Sequence, residues 1–166
     1  PWWPASVLGC RGVGRPPSLG AQGAHPGAVV IDSAGEASTL MNIQELSTIA
    51  QYNLPVKVFI LNNNYMGMVR QWQELLHGKR YSESYMDGMP DFVKLAESFG
   101  LKGLRATHPD ELDGAIQAMI DSDTGVIFDI AVSPEDNRLP MIPSGAAPNE
   151  KHSGLAGQTD SVTSRT

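Results

Sequence analysis

Gly35–Asn64, read as GEASTLMNIQELSTIAQYNLPVKVFILNNN, is the stretch that decides the fold. Its second half holds Val56-Lys-Val-Phe-Ile-Leu61, β-branched and aromatic and almost wholly apolar. That is the composition of a strand covered on both faces. Ahead of the stretch runs Ala28-Val-Val-Ile-Asp32, a second short buried-strand candidate bounded by Pro26-Gly27 and Ser33-Ala34-Gly35. Between the two strands, Met41, Ile43, Leu46, Ile49 and Ala50 recur at helical spacing and predict a helix over 40–52. Ser38 or Thr39 is the expected N-cap, and Asn53-Leu54-Pro55 the stop.

Outward from this unit the alternation continues. Met66 to Leu76 reads as a helix, and Asp91 to Phe99 as another that ends on Gly100. Leu101 to Ala106 is a weak strand, and His108-Pro109-Asp110-Glu111 opens a helix to about Ile120. Gly125 to Val132, GVIFDIAV, is the last strand, and the segment 81–90 is irregular, a candidate mobile loop. Strands and helices in this order predict an α/β fold, a parallel sheet flanked by helices on both faces.

Two residues mark a site in that fold. Glu36 and Asn63 each follow the C-terminal end of a predicted strand, with one helix between them. Ligands of open α/β sheets bind outside those strand ends. A carboxylate and a carboxamide oxygen brought together there form a hard-oxygen set suited to Mg²⁺ carrying a phosphate ester. Gly35 and Gly67 leave room for close backbone approach. Taken singly, Glu36 reads as a solvated loop acid and Asn63 as a turn residue; together they point to a diphosphate cofactor and so to an enzyme.

Composition narrows the alternatives. The chain has 166 residues, 41% of them hydrophobic and 18% charged, as in a globular domain. A net charge of −6 argues against a nucleic-acid partner. No apolar run approaches the roughly 20 residues of a membrane span. The single cysteine, Cys10, excludes an internal disulfide and fits a reducing, cytoplasmic setting. His25, His77, His108 and His152 have no metal-ligand spacing, and Cys10 has no evident base partner. There is no P-loop, and Gly12-Val-Gly14 does not complete a dinucleotide fingerprint. Met68, Val69, Trp72 and Leu76 taken alone form an ordinary core stripe on their helix.

The longer string from Gly35 to Gly100, with "MIPSGAA" at 141–147, resembles the cofactor-binding domain of acetohydroxyacid synthase (acetolactate synthase) catalytic subunits. These are thiamine-diphosphate-dependent enzymes whose shared motif runs from Gly-Asp-Gly or Gly-Asp-Ala to Asn-Asn. The resemblance implies a thiamine-diphosphate-binding fold with Mg²⁺ held by Glu36, Asn63 and the backbone carbonyl of Tyr65. Gly35, Ala37 and Ser38 would lie beside the diphosphate, and Gly67 and Met68 on the thiazolium side. Met68, Val69, Trp72 and Ser144 would line the substrate channel. Gly9 and Arg11 fall in a cofactor-contacting segment, SVLGCRGVGRPPSLG, that resembles the family's glycine-rich run. The implied reaction condenses pyruvate with a second 2-keto acid such as 2-oxobutanoate. The implied partners are further copies of the chain and a regulatory subunit. FAD binds elsewhere in the family's full-length enzyme, and the location is cytoplasm, or plastid in a plant.

The sequence also departs from that pattern. Glu36 stands where the family has Asp, one methylene shorter, and is expected to weaken Mg²⁺ binding. Arg11 replaces the Met that props the bent cofactor, and Arg15 and Pro17 replace apolar, helix-compatible residues. Nothing here resembles the family's N-terminal domain, which carries the cofactor-activating Glu, so no catalytic residue is assigned and the chain alone is expected to be inactive. The expected organisation is 1–27 as a partial loop and helix of the same domain, 28–140 as the thiamine-diphosphate and Mg²⁺ domain, and 141–166 as an extension disordered from about 151. Two other readings stand beside this one. The chain is either a non-catalytic relic or assembly module of the same fold, or part of another thiamine-diphosphate carboligase or decarboxylase; "MVRQWQE" with "MIPSGAA" argues against the latter.

Overall fold

A computed structural model describes residues 12–143, 145–151 and 153. By contacts the chain divides into two units, Pro1–Met66 with Tyr85–Pro134 and Gly67–Ser84 with Glu135–Thr166.

The first unit is an α/β layer. Its elements run α1 (Arg15–Ala24), β1 (Ile31–Gly35), α2 (Glu36–Met41), α3 (Glu45–Gln51), β2 (Lys57–Asn62). The helix α4 (Gly67–Leu76) belongs to the second unit. Then follow α5 (Phe92–Ser98), β3 (Lys102–Ala106), α6 (Leu112–Ile120) and β4 (Val126–Ala131). The four strands form one sheet in the order β1-β2-β4-β3, every pair parallel. β1 lies against β2 with Ile31 opposite Lys57 and Gly35 opposite Leu61.

Residue parity along the strands separates two cores. On one face Val58, Ile60 and Ile127 pack with Leu19 of α1, Leu46 and Ile49 of α3, and Phe92 and Ala96 of α5. On the other, Val126, Phe128 and Ile130 pack with Met119 of α6, and Phe59 meets Phe128 edge-on at 5.5 Å between ring centroids. Helices thus cover both faces; β2 is apolar as the sequence predicts, and it pairs with β4 at the centre of the sheet.

Several boundaries differ from expectation. β1 begins at Ile31 rather than Ala28, because the pairing with β2 starts only there. The single helix expected over 40–52 is two helices, broken by a turn at 42–44, and its start moves back to Glu36. Neither Ser38 nor Thr39 is therefore the N-cap; that position is Gly35, and the Thr39 hydroxyl is buried without a hydrogen-bond partner. The helix expected from His108 opens as a tight turn over Pro109–Glu111 before α6 begins at Leu112. Asp91 caps α5 by accepting from the Val93 and Lys94 amides, and Gly100 ends it at φ +73°.

Arg15, which stands where the resemblance expects an apolar residue, is buried. It is 2% exposed; its guanidinium donates to the Thr39 carbonyl at 3.0 Å and the Asn42 carbonyl at 3.2 Å, and lies 3.6 Å from the Asp32 carboxylate of β1. One side chain thereby closes the C-terminal end of α2 and ties it to the strand. Burial lowers the Arg15 pKa and raises that of Asp32, each opposed by the charge of the other. Pro16 and Pro17 sit in the first turn of α1, where the missing amide costs nothing. Gly14 is fixed by the same contact: a Cβ there would lie 2.3 Å from the Asp32 Oδ1.

In the second unit, α4 turns its polar residues inward. Arg70 and Gln71 are buried; Arg70 pairs with Glu74 at 2.9 Å, and Gln71 donates to the Arg138 carbonyl at 3.0 Å. Met68, Val69, Trp72 and Leu76 are 39–46% exposed, so the core-stripe reading of this helix does not hold.

Leaving one member of a buried ion pair alone costs about 3–5 kcal/mol. Arg15→Met should destabilise the chain by roughly that amount in urea unfolding. Arg15→Met combined with Asp32→Leu should recover more than half of the loss, since no charge is then stranded.

Candidate functional site

The C-terminal edge of the sheet begins with Gly35. It is extended, at φ −81° and ψ 164°, and α2 starts on the next residue with no intervening loop. The first amides of a helix have no acceptor inside it; the Glu36 N–H is met by its own carboxylate, and those of Ala37 and Ser38 follow it where β1 ends. A Cβ placed at Gly35 would meet no heavy atom within 4 Å, so the space beside this turn is open.

Glu36 occupies the first helical position and is 1% exposed. Its Oε1 is buried without a hydrogen-bond partner. Burial pushes its carboxyl pKa up, the backbone amides of Glu36, Asn63 and Tyr65 pull it down, and the charge of Asp129 raises it further. The carboxylate therefore faces the turn that leaves β2.

That turn is built by its asparagines. The Asn62 Oδ1 accepts from the Asn64 amide at 3.2 Å, and the Asn63 Oδ1 from the Tyr65 amide at 3.1 Å. Asn side chains that bond their own backbone two residues on are a standard means of holding a tight turn. Asn64 takes a left-handed conformation at φ 58°. Its carbonyl accepts from the Met86 amide at 2.9 Å, and Tyr65 bridges to Tyr85 with the rings 5.1 Å apart. Beside the turn a cavity of about 430 Å³ opens among Asn62, Asn64, Met86, Asp91, Arg105 and Asp129.

The structure thus brings together Gly35, Glu36, Ala37, Ser38, Asn63 and Tyr65. Gly67, Met68, Val69 and Trp72 lie on α4 in the second unit. Gly9, Arg11 and Ser144 lie outside the described residues. Sequence reasoning missed Asp129 and Arg105; the signal available was a lone carboxylate inside the apolar strand GVIFDIAV.

These residues suit a hard cation. An orphaned, buried carboxylate oxygen lacks the partner that would repay its desolvation. Among the described residues no group of three or more His, Cys, Asp or Glu side chains could hold a metal ion. A cation at Glu36 would therefore draw on carboxamide and backbone oxygens as well, a donor set that fits Mg²⁺.

Comparison with known proteins agrees with this architecture. Residues 1–130 match the family model described as thiamine pyrophosphate enzyme, C-terminal TPP binding domain, and the chain belongs to that family. Within it, the chain is 46% identical over 156 residues to the acetolactate synthase large subunit of Pyropia yezoensis, covering 93% of this chain and 26% of that protein. It is 39% identical over 146 residues to the acetolactate synthase isozyme 2 large subunit of Escherichia coli, covering 88% of this chain and 27% of that protein. The chain thus spans about a quarter of the length of these relatives. The thiamine diphosphate-dependent 4-hydroxybenzoylformate decarboxylase of Rhodococcus jostii superposes with a TM-score of 0.68 at 30% identity, over 74% of this chain and 23% of that one. Among the described residues no helix is long and apolar enough to cross a membrane.

The raised Glu36 pKa carries a stability consequence. Between the unfolded value, about 4.5, and the higher folded one, the folded chain holds a proton that the unfolded chain has released. Stability is greatest below the unfolded value and falls as pH rises toward the folded value. Glu36→Gln should therefore raise the melting temperature of the ligand-free chain at pH 7 by roughly 2–4 °C, the shift about 1 kcal/mol produces at this size. Thermal melts at pH 4 should show no such gain.

Proposed function

We propose that this chain is the cofactor-binding portion of an acetolactate synthase large subunit, binding thiamine diphosphate through Mg²⁺. The observation that carries the reading is the Glu36 carboxylate, buried where α2 begins and beside the Asn63–Tyr65 turn, with its Oε1 left unpartnered. Glu36, the Asn63 carboxamide and the Tyr65 carbonyl would hold the metal. The amides of Ala37 and Ser38 would take the phosphate oxygens, in the open space that Gly35 leaves. Gly67 and Met68 would face the thiazolium, with Val69, Trp72 and Ser144 lining the substrate path; the exposure of Met68, Val69 and Trp72 supports a role in contact rather than in packing. Gly9 and Arg11 would complete the cofactor contacts from the N-terminal side.

When bound, thiamine diphosphate supplies the carbanion chemistry that a 2-keto acid needs to lose carbon dioxide. The chain's own part is to neutralise and orient the diphosphate. Glu36 serves this only as the carboxylate, so binding of the metal must release the proton that burial favours, and cofactor affinity should rise with pH. The whole enzyme would join pyruvate to a second 2-keto acid and make 2-acetolactate, as part of an oligomer with a regulatory subunit, in cytoplasm or plastid. The remaining three-quarters of the relatives' length would supply the rest of that activity, including any FAD site.

A second reading is an assembly module that keeps the fold without the cofactor, and the extra methylene of Glu36 favours it. Calorimetric titration with thiamine diphosphate and Mg²⁺ separates the two. The parent chain should bind, Glu36→Asp should bind on the order of tenfold tighter, and Asn63→Ala on the order of tenfold weaker, a change of about 1.4 kcal/mol each way. Absence of binding in both the parent and Glu36→Asp would favour the module. The chain alone should form no acetolactate from pyruvate in a colorimetric assay.

A further inference from the structure

β4 carries one carboxylate in an otherwise apolar run: Val126, Ile127, Phe128 and Ile130 are all buried, and so is Asp129, at 6% exposure. Its register sets it opposite Ile60 of β2 and Arg105 of β3. Both carboxylate oxygens are engaged. The Asn62 Nδ2 donates to Oδ1 at 3.0 Å, and the Arg105 Nε donates to Oδ2 at 3.0 Å. The other arm of Arg105 donates to the Asp91 Oδ1 at 2.8 Å, and Asp91 is the N-cap of α5. A continuous chain of hydrogen bonds therefore runs from α5 through Arg105 and Asp129 to Asn62, whose own oxygen accepts from the Asn64 amide.

Burying a carboxylate in a sheet is costly, and an apolar residue of like size is often at least as stabilising. What the carboxylate adds is direction. An unanchored Asn62 carboxamide can rotate about its terminal torsion, which is broad. Held at its amide end by Asp129, it can only present its oxygen to the Asn64 amide.

We propose that Asp129 is a positioning residue: acting through Asn62, with Arg105 as its clamp, it fixes the turn that presents Asn63 and Tyr65 to the metal. The metal part of this rests on the cofactor-binding reading above. The positioning part does not, because the hydrogen bonds are formed in the ligand-free chain. Partners that orient metal ligands from behind typically change metal affinity by about 10–100-fold when removed.

Amide hydrogen exchange by NMR on the ligand-free chain, followed by titration with Mg²⁺ and thiamine diphosphate, tests both parts. Asp129→Ala should speed exchange at Asn64 and Tyr65 by roughly tenfold while the Val58 and Phe128 amides stay protected, and should weaken cofactor binding about 10–100-fold. Asp129→Asn keeps one oxygen for Asn62 and should hold exchange at Asn64 within about threefold of the parent, a rescue that general loss of packing would not give. Arg105→Met removes the clamp from a half-exposed side and should give an intermediate change. Unchanged exchange at Asn64 in Asp129→Ala, with the sheet protected, would overturn the proposal, as would equal acceleration in Asp129→Ala and Asp129→Asn. Should Asp129→Ala not fold, Arg105→Met decides, and parent-like exchange at Asn64 there overturns the proposal. Should the parent bind no cofactor, the functional reading falls and the exchange results decide positioning alone.

Discussion

The parallel pairing of β1 with β2 is the constraint on which the candidate site depends. It sets Gly35 opposite Leu61, so the two strands end almost level. The chain then leaves one strand directly into a helix and the other into an asparagine turn. Glu36 and Asn63, far apart in sequence, become neighbours because the ladder permits no other alignment of these apolar residues. A slip of one residue would turn Val58 and Ile60 out of the core they share with α3 and α5. Core packing thus fixes the site's geometry without touching it.

Around this ladder the fold places its buried charges at the junctions between elements. Arg15 closes α2 and reaches Asp32 on β1. Lys57, 2% exposed at the start of β2, donates to the carbonyls of Ser122 and Thr124 in the turn before β4. Asp129 joins β4 to Asn62 and to Arg105. In each case a charged side chain meets groups that the apolar core cannot satisfy, which is the condition under which a buried charge is tolerated. Glu36 differs. It shares their burial, yet one of its oxygens has no partner. Asp129, by contrast, has both carboxylate oxygens engaged, by Asn62 and Arg105, and that difference is why Glu36 is the candidate ligand.

The chain belongs to the thiamine pyrophosphate enzyme family and is similar to acetolactate synthase large subunits, and the cofactor-binding reading proposed for Glu36 starts from there. The particular residues of this chain add a buried carboxylate at the first position of α2 and a guanidinium buried against the end of that helix.

The alternation of strands and helices, the parallel sheet, and the two strand ends that carry Glu36 and Asn63 were legible in the sequence, because they follow from local periodicity. β2 and β4 are apolar enough to announce themselves, and Gly100 and Asp91 mark their helix ends by local chemistry alone. Other features were decided only in three dimensions. The start of α2 at Glu36 follows from where the β1–β2 ladder stops, which no local cap signal reports. The burial of Arg15 and the hold of Asp129 on Asn62 depend on partners 17 to 67 positions away. The outward face of Trp72 arises because α4 buries Arg70 and Gln71 instead. Sequence by itself determined the order in which strands and helices alternate, since each residue's own shape and polarity set that. Only the tertiary structure decided which charges are satisfied and which oxygen is left open, since satisfaction is a property of pairs that the chain brings together by folding.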